Sequence, residues 1–263
     1  MKTLLICHDG AMLDQEGLPR WLASFSDLVG VIVLEEGADR KMKRFRREIR
    51  RVGLLRFLDV ALFRLYYRLA LARRDSAWQR ARLEELVQRY PDYAEATVPV
   101  LRTHSPNSGE AEAFIRDCAP DIMIARCKSL LKRAVFSIPA TGTFVMHPGI
   151  CPEYKNAHGC FWALANDDLD NVGMTLLKID ESVDGGPISG HYSYDYDEVG
   201  ESHVVIQYRV VFDNLAAVQK KLLEEFRQEA EPVDVTGRTS AMWGQPWLTR
   251  HLAWKRKARQ RRS

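Results

Sequence analysis

The spacing of apolar and polar positions changes several times along the chain, and each change marks an element. Residues 2–8 (KTLLICH) and 28–35 (LVGVIVLE) are short, nearly continuous apolar runs, the pattern of strands buried on both faces of a parallel sheet. WLASFS between them predicts a short helix. Residues 40–72 carry a helical period interrupted at Gly53, and 76–90 predict a further amphipathic helix that Pro91 ends. TVPVLRT (97–103) reads as a strand, and Pro99, which has no N–H for a ladder, places it at a sheet edge.

The middle of the chain is more regular. Ser108 can cap a helix running through Cys118, with Glu110 and Glu112 in the first turn, where the helix dipole favours them. Pro120 follows, then the strand DIMIARC (121–127), the helix SLLKRAVFS (129–137) and the strand TFVMH (143–147). That order predicts an α/β fold, a mainly parallel twisted sheet flanked by helices. A helix at 158–166 comes next. VGMTLLKID (172–180) and GPISGHYSYDYD (186–197) predict strands joined by ESVDGG, and one long helix covers about 201–228. The division expected is a domain over 1–230, with a basic helical insertion at 40–92, and a C-terminal extension over 231–263 with a basic tail.

Composition narrows this picture little, but charge changes it. With 46% hydrophobic and 28% charged residues in 263, the chain is ordinary globular material. Five cysteines, with no C-x-x-C pair and no Cys/His metal spacing, argue against a disulfide framework and for a reduced cytosolic setting. The apolar run in MKTLLICHDG is too short for a signal peptide and no stretch makes a clean membrane span, so a cytoplasmic location is expected. Residues 40–74, however, hold thirteen Lys/Arg against Glu48 and Asp59, and 250–263 hold seven Lys/Arg and no acid. The remainder is net acidic, and such asymmetry points to a polyanionic partner. Three readings of 40–74 stay open: a helix packed on the sheet, a surface helix on anionic lipid at the inner membrane surface aided by 250–263, or a homodimer contact through Leu58, Leu62, Leu65 and Leu69.

The candidate chemistry lies in FVMHPGICPEYKNAHGCFWAL (144–164). His147 ends a strand, where open α/β sheets bind their ligands, and Pro148–Gly149 turn the chain away. Asp184, followed by two glycines, lies in a strand-to-strand connection from which its carboxylate can approach the imidazole. The plainer alternative is a hairpin turn at Asp184, a surface histidine at 147, and Tyr154 with the FWAL run as packing residues.

Taken together, HPGICPEYKNAHGCFWALANDD, VGMTLLKIDESVDGGPI and APDIMIARCKSLLKRAVF resemble the folate-dependent formyltransferase domain of methionyl-tRNA, glycinamide-ribonucleotide and amino-sugar formyltransferases. The resemblance covers 118–190, and 1–35 only in pattern. It implies a Rossmann-like fold and transfer of a formyl group from 10-formyltetrahydrofolate to an amine, with no metal. His147 and Asp184 match the family's catalytic histidine and aspartate. Ser129, Leu130 and Leu131 fall in its folate loop, and Ile179, Asp180 and Val183 on the opposite wall. Tyr154 and His158 fall where an acceptor could be contacted; the position of His158 is histidine in the purine-type members.

One position departs from the family. Its catalytic asparagine, two residues before the histidine, is Val145 here. Loss of a preorganised oxyanion donor typically costs ~10²–10³ in rate, and Asn156 is the nearest replacement. For the acceptor, the tRNA enzymes carry a C-terminal barrel for which this chain is short, and CHDGAMLDQ poorly matches the purine enzymes' phosphate loop. A small-molecule amine is therefore expected, an amino sugar linked to a nucleotide or a lipid, and no specific nucleic acid. A 10-formyltetrahydrofolate hydrolase and a catalytically weak folate- or sugar-binding module are the rival readings.

Overall fold

The computed structural model describes residues 1–36 and 48–263. Strands β1 (Lys2–His8), β2 (Asp27–Leu34), β3 (Val100–Thr103), β4 (Ile122–Ala125) and β5 (Gly142–His147) run parallel in the order β3-β2-β1-β4-β5. A further strand pair, β7 (Met174–Lys178) and β8 (Ile188–Tyr192), continues the sheet beyond β5 with antiparallel pairing, and β6 (Lys155–Asn156) lies outside it. The mainly parallel sheet flanked by helices is thus present. As its Pro99 predicts, β3 is an edge strand, and β1 and β4, which sit in the middle, are the apolar runs buried on both faces.

Several boundaries differ from the sequence pattern, each for a local reason. The first helix, α1 (Leu18–Ala23), starts earlier than WLASFS and stops where the Ser24 and Ser26 hydroxyls donate to the Trp21 and Leu22 carbonyls. Residues 48–52 are helical, Gly53 breaks the run, and α2 (Leu54–Tyr66) continues through a π-helical turn at Tyr67–Leu71 into α3 (Ala72–Arg89). The helix expected at 76–90 is therefore the end of a longer one. Helix α4 (Gly109–Cys118) is capped as predicted, the Ser108 hydroxyl accepting from the Ala111 N–H at 3.2 Å.

The helix predicted over 129–137 shrinks to α5 (Arg133–Phe136). Asn107 causes this: its side chain donates to the Leu130 carbonyl at 2.9 Å and accepts from the Lys132 N–H at 2.7 Å, holding 127–132 as a loop. The long helix of 201–228 is two, α7 (His203–Phe212) and α8 (Leu215–Phe226), with α6 (Gly159–Ala165) before them. Asn214 makes the break by donating to the carbonyls of Ser193 and Val210. The basic tail is a helix too, α9 (Leu248–Arg262). It buries His251, Trp254 and Ala258, and its charges serve the body of the protein. Lys257 pairs with Asp167, Arg261 with Asp167 and Glu198, and Lys255 donates to the carbonyls of Glu198 and Glu201.

A cluster of histidines is buried where α2, α6, α7 and α9 meet. His203 and His251 are 2% and 1% exposed, and the rings of Phe63, Tyr66 and Phe161 pack around them and His158. None of the three Nδ1 atoms has a hydrogen-bond partner among the described residues. Burial, together with Lys128 for His158 and Lys255 for His251, pushes both down from 6.5 to about 4, and His203 is also held well below its ordinary value. The unfolded chain takes up these protons near pH 6.5 and the folded chain only near 4. Stability is therefore full above about pH 6.5 and is lost as pH falls towards 4. At about pH 5 each of His158 and His251 accounts for ~2 kcal/mol. The urea midpoint should drop clearly between pH 7 and pH 5. His251→Phe, which keeps an aromatic ring among Phe63, Tyr66 and Trp254, should reduce that drop.

Candidate active site

His147 ends β5, and its imidazole is buried. The Nε2–H donates to the Tyr154 carbonyl at 2.8 Å, which leaves Nδ1 facing the Asp184 carboxylate, with Nδ1 to Oδ2 at 3.7 Å. The two residues, which the sequence separates by a short strand, a helix and a further strand, are brought together by sheet topology. Strand β7 (Met174–Lys178) runs antiparallel to β5, with Lys178 opposite Phe144 and Thr175 opposite His147. The loop after Lys178 thus begins level with the start of β5 and must fold back to reach His147. It does so tightly: Asp184 has a φ of 46°, and a Cβ on Gly186 would come within 2.0 Å of the Lys178 carbonyl oxygen.

The loop after His147 is compressed as well. A Cβ on Gly149 would lie 2.5 Å from the Tyr154 carbonyl oxygen and 2.8 Å from His147 Nε2, so only glycine leaves room for the bond between them. Thr175, fully buried, clips this loop from β7: its hydroxyl donates to the Gly149 carbonyl at 2.7 Å and accepts from the Cys151 N–H at 2.9 Å. Behind β5, Arg126 donates to the Met146 carbonyl and is itself held by the Asp14 carboxylate.

The other predicted site residues are placed as follows. Asn156 meets Asp184 through its backbone, its N–H donating to Oδ2 at 2.7 Å, while its carboxamide donates to the Trp243 carbonyl. The amide expected to stand in for the family's asparagine thus has its N–H donor engaged by the Trp243 carbonyl. Val145 shares the His147 face of β5 and packs against Cys151, Leu177 and Ile188 in a small apolar cluster. Tyr154 is buried, its hydroxyl donating to Asp168 and its ring stacked on Trp243. The His158 ring belongs to the histidine cluster, so both of these side chains lie in packing. Leu130 is 68% exposed on its Asn107-held loop, and Ser129 and Leu131 are half-buried beside it. Ile179 and Val183 are half-buried on the second loop, whose Asp180 carboxylate is occupied by Ser182. An Arg133–Glu181 ion pair at 3.2 Å joins the two loops.

A strap that gave no signal in the sequence completes the site. Residues 238–244 run along the loop 152–156, with β9 (Met242–Trp243) pairing with β6 (Lys155–Asn156). Arg238 makes two hydrogen bonds to Glu153, at 2.8 and 2.7 Å, and the Trp243 indole donates to the Glu153 carbonyl. Trp243 lies between Tyr154 and Trp162, at centroid distances of 5.7 and 4.9 Å. The five cysteines stay out of the chemistry. Burial pushes the Cys7, Cys151 and Cys160 thiols up to about 12 and Cys127 to about 11, too high for thiolate nucleophiles near neutral pH.

Against this geometry the relatives can be set. The methionyl-tRNA formyltransferase of Kosmotoga olearia is 37% identical over 93 residues, which are 35% of this chain and 30% of that protein. The chain therefore spans about 30% of the length of the first of the curated relatives it matches. A sugar N-formyltransferase from a Shewanella species superposes with a TM-score of 0.55 over 93% of this chain and 76% of its own, at 14% identity. A phosphoribosylglycinamide formyltransferase from Anaplasma phagocytophilum does so with a TM-score of 0.55 over 94% and 99%, at 13% identity. These two show the same fold. The family model described as formyl transferase matches residues 74–217, more than half of the chain and all of β5, α6 and the Asp184 loop, and the chain belongs to that family.

Proposed function

We propose that this protein is an N-formyltransferase that moves the formyl group of 10-formyltetrahydrofolate to the amine of a small acceptor, an amino sugar, with His147 and Asp184 as its catalytic pair. The observation that carries the reading is the buried imidazole whose Nδ1 faces a carboxylate, in a chain of the formyl transferase family.

The chemistry follows from the two atoms. A neutral amine attacks the formyl carbon; the new C–N bond forms, and the carbonyl pair moves to oxygen. Nδ1 is the ring nitrogen left to meet that oxygen, because Nε2–H is already committed to Tyr154, and it donates there when the ring carries a proton on both nitrogens. The carboxylate takes the proton of the attacking amine, directly or through water. When the intermediate collapses, the C=O bond re-forms, the bond from the formyl carbon to the folate nitrogen breaks, and that nitrogen takes the proton that Asp184 received from the amine. For the donor, the exposed Leu130 and half-buried Ile179 and Val183 supply apolar surface for a flat ring on two loops joined by Arg133–Glu181, and we assign Ser129, Leu131 and Asp180 to the same walls.

The names of the relatives span three acceptors (a tRNA, a ribonucleotide and a sugar); the amino sugar is supported by the poor match of CHDGAMLDQ to a phosphate loop and by the sugar N-formyltransferase that shares the fold. Methionyl-tRNA is the second reading, favoured by the 37% identity to the Kosmotoga protein. Incubation with 10-formyltetrahydrofolate and a panel of nucleotide-linked amino sugars, lipid-linked amino sugars and methionyl-tRNA, read by mass for one added formyl group, decides between them. Formate release with no acceptor present would replace both readings with a hydrolase.

Two sets of variants test the site. His147→Ala and Asp184→Asn should each lower kcat by about 10²–10⁴. The double variant should fall within tenfold of the worse single one, because the pair acts as a unit. Full turnover in Asp184→Asn would end the assignment. Asn156→Gly removes the carboxamide, keeps the N–H on Asp184 and suits the φ of 77° at this position, so turnover should change by no more than a few-fold. A loss of ~10² in kcat with KM unchanged would make the Asn156 side chain the oxyanion donor instead.

A further inference from the structure

Helix α2 is apolar on two sides. It buries Phe57, Val60 and Phe63, and it leaves Leu55, Leu58, Leu62 and Leu65 exposed, with Leu69 continuing the row in the following turn. Leu55 is 84% exposed and even the least exposed, Leu58, is 52% exposed. Their spacing of three and four residues makes a stripe about 21 Å long at the helical rise. Patches of this kind mark contact surfaces in water-soluble proteins.

The charges around the stripe say what kind of surface it meets. Residues 49–83 contain nine arginines and two aspartates, and both aspartates are turned inward. Asp59 accepts from the N–H and hydroxyl of Thr249, and the fully buried Asp75 accepts from Ser202. Arg50, Arg68, Arg73 and Arg80 are exposed, with no ion-pair partner among the described residues. Residues 40–47, next to them in sequence, add six Lys/Arg and no acid. A second copy of this chain would bring the same positive field against itself, a juxtaposition that opposes association. An anionic bilayer offers both the negative potential that the arginines match and the acyl boundary that the leucines need.

We propose that the leucine row of α2 and its flanking arginines dock this protein peripherally on an anionic lipid surface. The contact is superficial, since no helix among the described residues is long and apolar enough to cross a membrane. It also lies next to the strap. Beside the packed face of α2, the exposed Arg56 stacks over Trp247 and the exposed Arg64 donates to Gln245, and Gln245 and Trp247 closely follow Trp243 and Gly244. A docked protein would therefore present its catalytic loop close to the lipid headgroups.

The test is flotation of the full chain with vesicles of phosphatidylglycerol and phosphatidylethanolamine, against pure phosphatidylcholine, at low and at high salt. Binding should be confined to the anionic vesicles and weakened by salt. Each basic residue near the surface contributes roughly fivefold, so Arg50→Gln/Arg68→Gln/Arg73→Gln should weaken binding by about 10²-fold. Leu58→Ser/Leu62→Ser/Leu65→Ser, all at exposed positions, should abolish it while circular dichroism stays unchanged. No flotation with anionic vesicles at low salt would overturn the proposal. So would equal binding by the leucine variant, or a stable dimer that the leucine variant dissociates, which would give the row to a second copy.

Discussion

The site depends on a hydrogen bond between a side chain and a backbone, His147 Nε2–H to the Tyr154 carbonyl, made where water is excluded. A buried imidazole without that acceptor would forfeit a hydrogen bond in a region that cannot replace it with solvent. To make it, the chain must turn back on His147 within seven residues. The absence of a side chain at Gly149, the Thr175 clip and the 238–244 strap all enforce that turn. The bond also decides which nitrogen is left for chemistry. With Nε2 committed, only Nδ1 can answer to Asp184 and to a reacting oxygen. The fold thus sets the tautomer before any ligand arrives.

Much of this was legible in the chain, and the reasons differ by element. The parallel core could be read because β1, β2 and β4 are buried on both faces and therefore uniformly apolar. The His147–Asp184 meeting was readable from the family resemblance, since the strand-end positions by themselves left a hairpin turn and a surface histidine open. Helix ends decided by distant or side-chain hydrogen bonds were not: Asn107 unwinds 127–132 from over twenty residues away, and Asn214 splits a helix whose apolar period runs straight through it. Arg238 and Trp243 carry no local signature, since they act through Glu153 and Tyr154 some eighty-five residues earlier. The Arg126–Asp14 pair had a faint one, a charge at the end of an apolar strand.

Charge was the least readable feature, because formal charge in a sequence does not say where the counter-charge lies. The C-terminal run looks like a free polycation and is largely spent on the body of the protein, where Asp167 and Glu198 receive Lys257 and Arg261. The 49–83 segment has a similar composition and a different fate: its two aspartates point inward, and Arg50, Arg68, Arg73 and Arg80 stay in solvent. One basic stretch is thus structural glue, and the other is a surface.

These arrangements place a rigid centre beside a face still open to a partner. The strap is held on one side by Tyr154 and Trp162 and on the other by α2, so a force on α2 bears on the segment that shapes the His147 loop. Between them lie histidines kept neutral by burial, whose protonation would disrupt the same contact. Close packing transmits displacement instead of absorbing it. The position of α2, the integrity of the histidine cluster and the alignment of His147 with Asp184 are therefore linked through one set of aromatic contacts.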